Sequence, residues 1–205
     1  MKILVLDNYD SFTYNLVYII RELGFSVQMD IYRNDKISLD EVDKYDKILL
    51  SPGPGLPRDA GIMPELIKRY APEKDILGIC LGHQAIGEAF GGNLNNLTEV
   101  VHGVESVVKV QDDMLFQGIP ESFKIGRYHS WVIDESSLSE QLTIMAKTPD
   151  GQIMGVRHKI FNVRGLQFHP ESILTEHGIK IMENWINGLK IHSDYERDTK
   201  STHRA

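Results

Sequence analysis

The stretch Leu77-Gly78-Ile79-Cys80-Leu81-Gly82-His83-Gln84-Ala85-Ile86-Gly87 changes its periodicity at the centre. Residues 75–79 are an apolar run of the kind a buried strand needs, whereas residues 82–90 space their apolar positions as a helix does. A strand that passes so directly into a helix is half of a βα unit, from which parallel sheets are built. The chain's single cysteine stands at that junction, between two glycines.

The same alternation runs through the first half of the chain. Residues 2–6 read as a buried strand. Ser11 is placed to cap a helix with Phe12, Leu16, Ile20 and Leu23 on one stripe, and Gly24 stops it. Residues 26–32 are strand-like, 38–43 a short helix, 47–51 a second buried strand and 61–70 a helix. From residue 91 the pattern is β-rich, with strands expected at 104–110, 122–125, 142–147, 152–157 and 162–168 and a turn at Pro149-Asp150-Gly151. A last helix is expected over 176–189, with Ile179, Met182, Ile186 and Leu189 on one face. The expected fold is α/β: a mostly parallel central sheet with helices on both faces, plus a smaller antiparallel β region. Residues 1–190 are expected to form one domain and 191–205 a polar, frayed tail.

Composition narrows the function classes. The 205 residues suffice for one substantial core, and 41% apolar with 25% charged residues is ordinary for a globular protein. A formal charge of −7, without a Lys/Arg run, is the wrong sign for nucleic acid. One cysteine rules out an internal disulfide or a Cys-rich zinc site and points to a reducing compartment. No apolar run approaches the ~18 residues of a membrane span, and no leader-like segment opens the chain. A soluble, cytoplasmic protein with no membrane or nucleic-acid partner is the expectation.

Three segments carry chemistry. Gly78-Ile79-Cys80-Leu81-Gly82 is the cysteine form of the G-x-S-x-G elbow, where a sharp turn needs small neighbours. Such a turn sets Cys80 near a helix N-terminus, which favours the thiolate, and offers the Leu81 N–H to an oxyanion. A buried core thiol fits the same residues. Gln167-Phe168-His169-Pro170-Glu171-Ser172 follows an expected strand, and Pro170 biases His169 to extended geometry. His169 and Glu171 then point to the same side, as an imidazole and the carboxylate that orients it. Ser51-Pro52-Gly53-Pro54-Gly55-Leu56-Pro57 is stiff and nearly free of bulky side chains, which suits an oxyanion hole or carboxylate clamp and equally a rigid turn. Among the other histidines, His83 lies about 300° around the helix from Cys80 and does not face it. His129 belongs with an expected loop, Arg127-Tyr128-His129-Ser130-Trp131, and His102, His158, His177, His192 and His203 have no supporting context.

Together, and in this order, the three segments resemble the class I (triad) glutamine amidotransferases, from residue 2 to about residue 189, nearly the whole chain. The opening Asp7-Asn8-Tyr9-Asp10-Ser11-Phe12-Thr13-Tyr14-Asn15, with "RYHSW" and "FHPESILTEHG", is similar to the small subunits of anthranilate synthase and aminodeoxychorismate synthase. The resemblance implies a Cys80, His169, Glu171 triad and oxyanion donors at Gly55 and Leu81. It also implies a glutamine site of Gly53, Pro54, Gly55, Gln84, Ser130 and Trp131, with main-chain groups of the last two holding the amino acid end. The implied reaction is hydrolysis of L-glutamine, with ammonia passed to a larger chorismate-binding synthase subunit, component I. Anthranilate is the expected product and aminodeoxychorismate the alternative; no metal or other cofactor is implied. Amidotransferase domains of GMP and CTP synthases are expected to be fused to their synthase, so a separate chain fits a subunit. Two positions depart from the subfamily pattern: Trp131 where leucine is usual, and Val104 in place of a lysine. A γ-glutamyl hydrolase-type cysteine hydrolase and a non-catalytic regulatory subunit are the competing functions.

Overall fold

The structure, a computed structural model, describes residues 1–188, apart from the side chains at 99 and 100. The parallel part is built from β1 (Ile3–Asp7), α1 (Thr13–Glu22), β2 (Met29–Arg33), β3 (Lys47–Leu50), α2 (Met63–Tyr70), β4 (Asp75–Ile79) and α3 (Leu81–Ala89). Alternate residues of each strand serve two cores. Ile3, Val5, Leu49 and Leu77 pack with Leu16, Val17 and Ile20 of α1 on one face. Leu4, Leu6, Ile48 and Ile76 pack with Leu66 and Ile67 of α2 and Ile86 of α3 on the other. Both faces are dry, so these strands read as continuous apolar runs.

The β-rich half continues the same sheet. It comprises β5 (Leu94–Val110), β6 (Ser122–Ile133), β7 (Leu142–Lys147), β8 (Ile153–His158) and β9 (Val163–Leu166), followed by α4 (Gly178–Asn187). The strand order is β2-β1-β3-β4-β9-β8-β7-β5-β6. β9 returns to pair in parallel with β4, and its other edge pairs antiparallel with β8. The antiparallel region is therefore an extension of the central sheet.

Several expected elements differ. β5 begins ten residues before the expected 104, and β6 runs on to Ile133, so Arg127 to Trp131 lies in a strand and not in a loop. The β5–β6 register shifts between Asn96/Val101 and between His102/Val104, and such bulges break the two-residue alternation that marks a strand. The strand expected at 26–32 opens as a 3-10 turn, and the short helix expected at 38–43 is a 3-10 turn at Asp40–Lys44. Ser11 does not cap α1; Asp10 accepts a hydrogen bond from the Phe12 N–H at 2.7 Å instead. On α4 the buried stripe is Ile181, Met182, Trp185 and Ile186, and Ile179 is exposed. Leu189 and the expected tail lie outside the described residues. No described helix is long and apolar enough to cross a membrane.

At the end of the sheet opposite the strand C-termini, α4 is held by a buried charge. Lys47 Nζ stands 2.5 Å from Asp75 Oδ2 and donates to the Trp185 carbonyl at 2.7 Å. Asp75 Oδ1 accepts from Trp185 Nε1 at 2.9 Å. Lys47 and Trp185 are fully buried and Asp75 nearly so. Removing one member strands its partner's charge in a medium that cannot solvate it. Lys47→Ala is expected to lower the unfolding free energy by about 3–5 kcal/mol, measured by urea denaturation; a loss under 1 kcal/mol would mean that Asp75 finds other solvation.

Candidate active site

The order β3-β4-β9 explains why three distant segments meet. In a parallel sheet the strand C-termini share one edge, where α/β folds collect ligands. The residues after β3 are Ser51 to Leu56, after β4 comes Cys80, and after β9 come Gln167, Phe168 and His169. β4 is paired to β3 on one side and to β9 on the other, so Cys80 emerges between the other two segments.

The elbow has no spare residue. Cys80 has φ 51° and ψ −98°, and α3 starts at the next residue. A non-glycine residue held there costs on the order of 1–3 kcal/mol, which the surrounding structure must impose. The two glycines are the means. A Cβ on Gly78 would stand 2.4 Å from the Gly82 carbonyl carbon, and one on Gly82 would stand 2.6 Å from the Leu50 carbonyl oxygen. Cys80 is itself 7% exposed, and its N–H donates to the Leu166 carbonyl at 2.8 Å.

His169 sits on the neighbouring segment, 2% exposed. Its N–H donates to the Gly126 carbonyl at 3.2 Å, and its carbonyl accepts from Thr175 Oγ1 at 2.6 Å. Nδ1 meets Glu171 Oε1 at 2.6 Å, while Tyr128 and Phe12 present their rings at 5.0 and 5.7 Å. The other carboxylate oxygen of Glu171 is buried with no hydrogen bond, so a charged imidazole is its counter-charge. Burial is the largest influence on His169 and opposes that charge. The Cys80 sulfur and the Glu171 carboxylate together outweigh it and lift the pKa to about 10.

The loop after β3 is fixed by the opening of the chain. The Asn8 N–H donates to Ser51 Oγ at 2.8 Å and Asn8 Nδ2 to the Ser51 carbonyl at 2.8 Å. Asn34 Nδ2 holds Asn8 Oδ1 at 3.0 Å. Gly53 lies so close to Asn8 that a Cβ there would be 2.6 Å from the Asn8 Cβ. Asp7 anchors the turn by accepting from the Tyr9 N–H at 3.0 Å and from Thr13 Oγ1 at 3.0 Å.

A pocket of about 350 Å³ opens over Cys80, and Gly53, Gly55, Gln84, Ser130 and Trp131 line it. Pro54 lines a neighbouring hollow with Asn8 and Asn34, and Leu81 faces the same hollow. The Trp131 carbonyl accepts from Gln84 Nε2 at 2.9 Å and pairs with His129 Nδ1 at 3.1 Å. Arg127 Nε donates to His129 Nε2 at 3.3 Å, so that nitrogen is the acceptor and Nδ1 carries the hydrogen. Both lone pairs of the Trp131 carbonyl are thus taken. Burial, aided by Arg127, holds His129 down to about 3, so it stays neutral. His83 is buried against Gly165, and burial lowers it to about 3 as well.

Sequence reasoning passed over four residues of this site. His102 lines the pocket and sets its ring edge-on to Tyr128 at 5.5 Å. Phe12, read as part of the α1 stripe, packs on His169 instead. Tyr128 lines the pocket beside Cys80, and its carbonyl lies 3.9 Å from the sulfur. Gln167 is fully buried with Nε2 at 3.7 Å from that sulfur. Only Phe12 left a usable signal, as an aromatic residue directly after the polar "DNYDS" segment.

His169 links the site to pH. Its pKa is near 6.5 when unfolded and about 10 when folded, so the protonated ring stabilises the fold fully below pH 6.5, and that contribution is lost as pH rises through about 10. In a histidine NMR titration His169 is expected to change state near pH 10, and in Glu171→Gln at lower pH, because the carboxylate that favours the charge is gone. An unchanged midpoint in Glu171→Gln would show that the carboxylate does not hold the proton.

The Glutamine amidotransferase class-I family model matches residues 4–188. The chain is 45% identical over 190 residues to "Anthranilate synthase component 2" of Cyanophora paradoxa, a match that covers 91% of this chain and 99% of that one. It is 41% identical over 186 residues to "Aminodeoxychorismate/anthranilate synthase component 2" of Bacillus subtilis, covering 90% and 95%. The "Bifunctional protein TrpGD" of Thermotoga maritima is 43% identical over 188 residues, but these are only 32% of its length. Among solved structures, a protein assigned as one subunit of a GMP synthase, from Thermoplasma acidophilum, superposes with a TM-score of 0.81 at 30% identity, over 98% of both chains. Three motifs on adjacent strand ends, a sheet that brings them together and a family match across almost all described residues agree: the chain belongs to the class I glutamine amidotransferases.

Proposed function

We propose that this protein is the glutaminase subunit of a chorismate-using synthase, with anthranilate as the product of the complex. The observation that carries the reading is the pairing of Cys80, forced to positive φ at the start of α3, with a His169 that Glu171 keeps protonated. In this reading the Cys80 thiolate attacks the side-chain carbonyl carbon of L-glutamine. The Leu81 N–H, free in the first turn of α3, and the Gly55 N–H receive the oxyanion. The C–N bond breaks as His169 passes its proton to the leaving nitrogen, which departs as ammonia. Neutral His169 then takes a proton from water, hydroxide attacks the thioester, and glutamate leaves with thiolate and imidazolium restored.

The glutamine backbone would lie along Ser130, the Trp131 N–H and Gly53, with Gln84 setting the wall through the Trp131 carbonyl. Pro54 stiffens the loop from the far side. Ammonia protonates in water and is lost, so efficient use calls for a partner that holds the acceptor. The names of the Cyanophora and Bacillus relatives, both component 2 of a synthase, support a larger component I as that partner. The Bacillus name joins aminodeoxychorismate to anthranilate, which favours service to both synthases as the second reading. A working thiolate also needs a reducing compartment, which supports a cytoplasmic protein.

Cys80→Ser is expected to cut glutamine hydrolysis by about three orders of magnitude or more, assayed with and without the large chorismate-binding partner. Wild-type Cys80 should be labelled one to one by a diazo-ketone analogue of glutamine. Undiminished hydrolysis by the serine variant would remove Cys80 as nucleophile, and the product formed with each large partner identifies the synthase.

A further inference from the structure

Two anions share one imidazolium here: the thiolate required for attack and the Glu171 carboxylate that already holds His169 at 2.6 Å. The polar side chain hydrogen-bonded to the sulfur among the described residues is Gln167, whose Nε2 lies 3.7 Å away. Gln167 is fully buried, and its N–H is tied to the Met154 carbonyl at 2.9 Å. Its side chain stands behind the sulfur and is not among the residues that line the glutamine pocket.

An amide can present either its oxygen or its nitrogen, so what faces the sulfur depends on what fixes the other end. The other end is fixed. Gln167 Oε1 accepts from Gln84 Nε2 at 3.3 Å, and the same Gln84 nitrogen donates to the Trp131 carbonyl at 2.9 Å. A main-chain carbonyl can only accept, so Gln84 must turn its NH2 toward it. Gln167 must then turn its oxygen to Gln84 and its NH2 to Cys80. Reversing either amide would set oxygen against oxygen or NH2 against NH2. The second donor on the Trp131 carbonyl, His129, is itself fixed by the Arg127 guanidinium and reinforces the direction.

We infer that Gln167 is a positioning residue for the nucleophile: oriented by Gln84 from the Trp131 carbonyl, it donates a hydrogen bond that favours the Cys80 thiolate over the thiol. The inference rests on Cys80 being the nucleophile. The neutral thiol has its own acceptor, the Tyr128 carbonyl at 3.9 Å, so the sulfur sits between a group that favours the proton and one that disfavours it. The titratable groups around the sulfur are His169 with Glu171, Tyr128 and His102 along the pocket and, behind the Trp131 carbonyl, the neutral His129.

The test is the pH profile of Cys80 alkylation by iodoacetamide in the full chain, which needs no glutamine and no partner. Gln167→Met keeps the volume and removes the donor, and a hydrogen bond to a charged group is strong enough to move the profile up by about one pH unit. On the limb of the profile below its midpoint that is about a tenfold slower reaction. Gln167→Glu, which places an acceptor beside the sulfur, should move it further. In the glutaminase assay Gln167→Met should lower kcat and leave KM for glutamine within about twofold, a split that loosened packing would not produce. Should Gln167→Met fail to fold, Gln84→Met keeps Gln167 in place but frees its amide to turn, and alkylation on the limb below the midpoint of the profile should slow about threefold. A profile that coincides with wild type, in either folded variant, overturns the inference while leaving the nucleophile intact. Failure of wild-type Cys80 to react with both iodoacetamide and the diazo-ketone overturns both.

Discussion

The site depends on one constraint, the absence of a connecting loop between β4 and α3. Cys80 alone makes the turn, and it can do so only because Gly78, Gly82 and the Leu50 carbonyl pack at distances that admit no side chain. That close approach sets α3 directly on the sheet, so its first N–H groups open at the C-terminal edge of the strands. It also fixes which segments can be neighbours. A longer connection would let the thiol move away from the residues following β3 and β9, and neither the pocket nor the His169 contact would persist.

Charge in the interior follows the same economy. Among the described residues, Lys47 with Asp75 and His169 with Glu171 are buried ion pairs at opposite ends of the central strands. The first is closed: the carboxylate has partners on both oxygens, and the ammonium is capped by the Trp185 carbonyl. The second is left open, with Nε2 of His169 and one oxygen of Glu171 lacking any hydrogen bond. An unsatisfied buried polar group is costly in a structure that has only to be stable. At the edge where the pocket opens, it is a position from which a proton can be moved.

How much of this was legible in the sequence follows from the range of each signal. The parallel half was readable because apolar runs, helical spacing and the punctuating glycines are local. His169 and Glu171 were readable because extended chain sets residues i and i+2 on one side, and Pro170 makes the chain extended. The segment Arg127 to Trp131 was misread because two bulges in β5–β6 disrupt the alternation by which strands are recognised. Gln167 and Phe12 were missed for a different reason. Nothing in the neighbourhood of Gln167 distinguishes it, and the Phe12 ring fits the α1 stripe as well as a site; both matter through contacts with residues more than eighty positions away, Cys80 and His169. The likeness to a known family supplied the roles expected of Gly55 and Ser130, which spacing alone could not.

The departure at Trp131 can be weighed in the same terms. What the network uses at this position is the main-chain carbonyl, which Gln84 and His129 both address. Exchanging leucine for tryptophan leaves that carbonyl where the β5–β6 pairing puts it, because Trp131 is in register with Asn96. The side chain only reshapes the rim of the pocket. A carbonyl held by two donors is also a rigid reference point, and from it the orientation of two successive amides is dictated as far as the sulfur. The wall of the pocket and the Cys80 sulfur are thereby parts of one hydrogen-bonded chain. Selection at residue 131 can then tune the fit of a ligand without altering the donor that Cys80 meets.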